Sequence, residues 1–123
     1  MTMPNERMRA LRWGGELLDE IGLDETLPDA LRVRARALRP VYPRPEALEQ
    51  LLIEEALGLP EIWGNALRGA MDLFQDVRLG LHGSEATRRS LLYTLRHFPE
   101  KREIPSDIGR VPLGWWLEPE GER

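Results

Sequence analysis

The chain has 123 residues, a net charge of −4, sixteen arginines against a single lysine (Lys101), and no cysteine. That length fits one domain, and no apolar run approaches the ~18 residues of a membrane span. The missing thiols exclude a disulfide framework, a thiolate metal site and a cysteine nucleophile, and an overall acidic balance does not suit a general polyanion binder.

The N-terminus lacks the basic-then-apolar layout of a secretory leader. Together with the absent cysteines this points to a cytoplasmic protein. Prolines and glycines are spread along the chain and act as punctuation between elements.

The first predicted helix runs from Met3 to Ile21, with Thr2 as N-cap and Pro4 in its first turn. At 100° per residue, Ala10, Leu11, Gly14, Gly15, Leu17, Leu18 and Ile21 fall on one half of the wheel. Arg12, Glu16, Asp19 and Glu20 take the other, and Trp13 stands at the margin as a core-edge residue. Two adjacent glycines on the apolar side lower helix propensity, so another element is expected to approach closely there. A second helix is predicted from the cap Thr26 through Pro28 and Asp29, with Leu31, Ala35 and Leu38 inward, ending at Pro40 and Pro43. A third is expected over Pro45–Leu57, with Leu48, Leu51, Leu52 and Ala56 inward and Gly58 as its stop.

The fourth, over Pro60–Leu79, carries the widest apolar face: Ile62, Trp63, Ala66, Leu67, Ala70, Met71, Leu73, Phe74 and Val77. It is expected at the centre of the fold. The fifth starts after the cap Ser84 and runs to His97, with Leu91, Leu95 and Phe98 inward. Beyond Glu100 the pattern changes to an extended arm in which Pro105, Pro112 and Pro119 recur, ending in LGWWLEPEGER. The fold class read from this pattern is all-α: a compact bundle of about five helices.

Residues 10–43 and 66–99 match at eight of thirty-four positions without a gap, among them Ala10/Ala66, Leu11/Leu67, Arg12/Arg68, Leu17/Leu73 and Pro43/Pro99. Chance would give roughly three. The reading is a duplicated helical hairpin: residues 1–43, a connecting helix in 44–60, a second hairpin in 61–99 and the arm 100–123. A lone hairpin of this size buries too little surface to be stable, and a second copy covers its apolar face.

The opening MTMPNERMRAL and the closing TRRSLLYTLRHFP carry a resemblance. They resemble the two ends of a family of very short, uncharacterised proteobacterial proteins that open MTMP-x-ER-x-RAL and end in an arginine-rich helix with RHYP or RHFP. Residues 1–43 are similar to one whole such protein, except that Pro40-Val41 replaces Arg-His before Tyr42-Pro43. Residues 66–99 resemble a degenerate second copy that keeps Arg96-His97-Phe98-Pro99. The resemblance implies helical hairpins and carries no catalytic residue across.

Reaction chemistry has little to stand on. Arg12, Glu16, Glu20 and their echoes Arg68, Asp72, Asp76 place carboxylates on bundle helices. A di-metal centre there also needs E-x-x-H pairs, and neither His82 nor His97 has a glutamate three residues before it. Ser84 reads as a cap, Ser90 and Ser106 have no G-x-S-x-G context, and no glycine-rich phosphate loop is present. No catalytic, metal or cofactor residue is assigned.

Two binding surfaces are assigned instead. Trp115 and Trp116 are adjacent in the arm. In extended backbone they point to opposite sides, so one can dock while the other anchors a partner. The leading reading is therefore a non-catalytic protein-binding module: an adaptor, regulator or inhibitor. The rival uses Arg32, Arg36, Arg39, Arg89 and Arg96, with Tyr93 between cations, to grip a nucleic-acid backbone. Against the rival, Glu46, Glu49, Glu54, Glu55 and Glu61 follow and can neutralise the arginines within the fold. A structural homodimer is the third reading.

Overall fold

A computed structural model describes residues 6–80, 82–104 and Trp116. The described residues form an all-helical, compact bundle with no β-strand. In chain order the helices are α1 (Glu6–Leu23), α2 (Asp29–Leu38), α3 (Pro45–Ile53), α4 (Glu61–Gly80) and α5 (Glu85–Leu95). Short 3-10 turns follow α2 at Arg39–Val41 and lead into the arm at Lys101–Glu103. Trp116 also has helical backbone, and the expected helix start at Thr2 and Pro4 lies outside the described residues.

The four longer helices close a ring: α1 packs on α2, α2 on α4, α4 on α5, and α5 back on α1. This puts α1 and α4 on one diagonal and α2 and α5 on the other. α3 lies against α1. The sequence pattern places α4 at the centre, but α1 shares the core equally, with eight buried residues on each helix. All seven residues assigned inward on α1 are buried. On α4, the first turn departs from this: Ile62 is 55% exposed and Trp63 is only partly buried.

The Gly14-Gly15 step explains the tight packing beneath α1. An ideal Cβ on Gly14 would lie 2.6 Å from Phe98 Cε1 and would also strike the Tyr42 ring. Tyr42 and Phe98, the aromatic residues that close the two predicted hairpins, thus converge on one glycine. The Tyr42 hydroxyl donates a hydrogen bond to the Leu11 carbonyl. Burial pushes its phenol pKa upward, against the pull of the Arg39 charge. Phe98 meets Phe74 edge to face, with ring centroids 5.3 Å apart, a geometry worth ~1 kcal/mol beyond burial itself.

Two helix ends differ from expectation for local reasons. Thr26 does not cap α2. Its N–H and hydroxyl both donate to Asp24 Oδ1, at 2.9 and 2.6 Å, and Pro28 precedes the helix without a side-chain cap. The third helix stops at Ile53, short of Leu57, because Glu55 takes a left-handed conformation with φ 55°. The Ala56 N–H then reaches back to the Leu51 carbonyl at 3.0 Å, closing the last turn before Gly58 is reached. Ser84 caps α5 as expected, accepting from the Thr87 N–H at 3.1 Å.

Candidate binding groove between the first and last helices

Of the two tryptophans assigned to partner binding, Trp116 is half-buried and packs on the core. The Arg7 guanidinium covers its ring at 5.2 Å from the centroid and donates to its carbonyl at 3.2 Å. Arg7 also meets Glu103 at 3.4 Å, so the start of α1 ties down both parts of the arm. Burial lowers the Arg7 pKa, and the Glu103 charge opposes that shift. The Trp116 indole nitrogen is buried without a hydrogen-bond partner among the described residues. Trp116 thus packs on the bundle, on helical backbone where an extended arm was expected, and Trp115 lies outside the described residues.

The arginines of the rival surface do not form one face. Arg36 donates to the Gly22 carbonyl at 2.7 Å and so satisfies the end of α1. Arg39 pairs with Asp19 at 3.0 Å and Arg32 with Asp29 at 3.0 Å. Arg34, between them in sequence, bridges to Asp76 on α4 at 2.7 Å. The arginines of α2 therefore find their partners on α1, on α4 and within α2 itself, and not on the acidic α3 that sequence order pointed to. Arg89 and Tyr93 on α5 and Arg96 just past its end lie at the opposite corner of the ring, and Arg89 is paired with Glu85 at 3.2 Å.

The feature that sequence reading passed over lies along the seam between α1 and α5. A cavity of about 410 Å³ opens there. Its walls are Trp13, 36% exposed, and Tyr93, 58% exposed. Its floor is Leu17 and Thr94, both buried. Glu16, Glu20 and Ser90 supply the polar edge. The Ser90 hydroxyl donates to Glu20 Oε1 at 3.1 Å. Glu20 Oε2 is buried and has no hydrogen-bond partner among the described residues. A charged oxygen in that position costs free energy unless a donor reaches it.

On the other side of Trp13 and Tyr93 a smaller hollow, about 230 Å³, is lined by Glu6, Arg9, Arg96 and His97. His97 pairs with Glu6 there, and the Arg9 guanidinium sits 5.9 Å from the Trp13 ring centroid. The two aromatics therefore divide an acidic cavity from a basic one. A larger hollow of about 590 Å³ lies between α1 and α2 around Leu18, Leu23 and Pro40. Its polar side chains, Asp19, Arg36 and Arg39, are already engaged within the fold, so it offers little to orient a ligand.

Asp24 fixes the far end of the α1/α5 seam. Its Oδ2 accepts from the Ser84 N–H at 2.9 Å and from the Thr87 hydroxyl at 2.7 Å, which locks the loop after α1 onto the first turn of α5. Burial favours the neutral acid, but the donors from Ser84, Thr26 and Thr87 outweigh it. They hold the Asp24 carboxyl well below the usual carboxylate range.

The carboxylates of the Arg12, Glu16 and Glu20 stripe do not meet those of its echo: Glu20 bonds to Ser90, Asp72 pairs with Lys101 at 2.9 Å and Asp76 with Arg34. Among the described residues no group of three or more His, Asp or Glu stands close enough to hold a metal ion, and no helix is long and apolar enough to cross a membrane. No family model, curated protein or solved structure matches the chain.

Proposed function

We propose that this chain is a small, non-catalytic protein-binding module, an adaptor, regulator or inhibitor of the cytoplasm, and that the α1/α5 groove is the surface it offers. The observation that carries the reading is the pairing of Trp13 and Tyr93 at a cavity that the carboxylates Glu16 and Glu20 also line. Tryptophan and tyrosine are the residues most enriched where binding energy concentrates. The leading role thus moves from the arm to the groove, since Trp116 is used to close the bundle. The nucleic-acid alternative loses support because Arg32, Arg36, Arg39 and Arg89 already have partners.

The same reading takes the bundle as two copies of one hairpin. Arg34–Asp76 on the α2/α4 seam and Ser90–Glu20 on the α1/α5 seam occupy positions related by the 56-residue offset of the sequence echo, which supports duplication.

Affinity capture tests the function. The intact protein, a Trp13→Ala/Tyr93→Ala variant and a Trp115→Ala variant are compared as immobilised baits. The groove variant is expected to lose a partner that the arm variant keeps. Equal capture by wild type and groove variant, or light scattering that shows a dimer sealed through this seam, would overturn it.

A further inference from the structure

The geometry points to a specific occupant for the acidic cavity: the guanidinium of one arginine side chain presented by a partner segment. This rests on the reading of the chain as a protein-binding module and adds the chemistry of what the module recognises.

Three observations converge. Glu16 and Glu20 stand one helical turn apart at the cavity, so the site carries two negative charges with no cation paired to either among the described residues. Glu20 Oε1 is taken by Ser90, and Oε2 is closed to solvent without a hydrogen-bond partner, so a turn of the Glu20 carboxylate is what offers it to a donor in the groove. Trp13 and Tyr93 line the cavity beside those carboxylates. A planar guanidinium answers all three: it donates several N–H bonds in a fixed fork, stacks on indole and phenol rings, and is desolvated more readily than an ammonium.

The neighbouring hollow sets the valence. Arg9 and Arg96 line it on the far side of the same two aromatics. Their positive charges oppose a second cation that approaches from that side. The groove therefore selects an isolated arginine with a neutral or acidic flank, and it disfavours polyamines and polybasic tails.

The test uses the full chain, with N-acetyl-arginine amide and a five-residue peptide carrying one central arginine as probes. Binding is read by the Trp13 indole N–H and the Ser90 and Thr94 amides in NMR titration. Saturable shifts confined to these groups are expected. A peptide with norleucine in place of arginine is expected to bind about tenfold or more weakly, as is the wild-type probe to Glu20→Gln, since a hydrogen bond to a charged group carries about that factor. Tyr93→Leu, at an exposed position that cannot unfold the bundle, is expected to weaken binding with Ser90 and Thr94 shifts otherwise unchanged in pattern.

Equal binding of the norleucine peptide, indifference to Glu20→Gln, or a spermidine affinity matching that of the arginine peptide would each overturn the assignment. Arginine binding combined with unchanged partner capture by Trp13→Ala/Tyr93→Ala would leave the guanidinium site standing and remove the protein partner. Loss of capture with no response to arginine would do the reverse.

Discussion

The α2/α4 and α1/α5 seams pair residues at equivalent positions, 56 apart in the sequence, and end differently. In the first, Leu38 nests against Gly69, where an added Cβ would lie 2.9 Å from Leu38 Cδ2, and Arg34 bridges to Asp76 across it. In the second, at positions offset by 56 residues, Thr94 faces Trp13, and Ser90 bonds to Glu20. Glycine lets two helices meet; an indole at the equivalent place borders an open cavity. The α2/α4 seam neutralises its carboxylate with an arginine. The α1/α5 seam substitutes a serine, which satisfies one oxygen and leaves the charge uncompensated. One seam thus serves stability, and the other retains unspent chemistry.

The sharpest way to break this comparison is to move the indole. Gly69→Trp forces a large ring into the closed seam and should lower unfolding free energy by about 3 kcal/mol in denaturant titration. A loss under about 1 kcal/mol would mean the α2/α4 seam is not tight. Next comes the clamp at the end of the α1/α5 seam, where Asp24 has no counterpart because Gly80 occupies the offset position. Asp24→Ala should cost about 2 kcal/mol at neutral pH. The folded-state pKa is depressed, so this contribution is complete above the ordinary carboxylate value near ~4 and is lost as pH falls further. The wild-type advantage should therefore shrink in acid, and an advantage unchanged at about pH 2.5 would contradict the clamp.

Smaller effects sharpen the contrast. Ser90→Ala strips Glu20 of its donor and should cost about 1 kcal/mol, a loss independent of salt because the site is partly buried. Arg34→Ala removes an ion pair whose side chains are 41% and 52% exposed. It should cost about 0.5 kcal/mol or less, and the difference should fade in high salt. Thermal melts at two ionic strengths separate the two cases.

The helical class, the inward faces of α1 and α4, the Ser84 cap and the close approach at Gly14 were all legible in the sequence, because each depends on local periodicity or on a residue's own conformational limits. What was not legible depends on which side chain meets which across a seam. Thr26 looks like a cap until Asp24 competes for its N–H. Helical periodicity runs on to Leu57 because it does not register that Glu55 adopts a left-handed turn. The arginines of α2 and of the turn after it were matched to the nearest acids in sequence, yet folding brings Asp76 to Arg34 and Asp19 to Arg39 instead. Trp13 sat at the margin of the apolar arc and read as core edge. Only the ring of helices, with Thr94 opposite where Leu38 stands in the other seam, turns it into a wall.

The convergence of Tyr42 and Phe98 on Gly14 carries a consequence for biosynthesis. One of the two rings that cover this glycine arrives early and the other comes from the end of the last helix. A nascent chain can form α1 and α2 as they emerge and lay Tyr42 over the small-residue surface of α1, but the Phe98 side of Gly14 stays uncovered until Phe98 has left the ribosome. Non-local closure of this kind is slow relative to helix formation. During that interval the growing polypeptide is expected to be most dependent on chaperones, and ribosome-bound fragments that stop short of Phe98 should be cut by protease in α1.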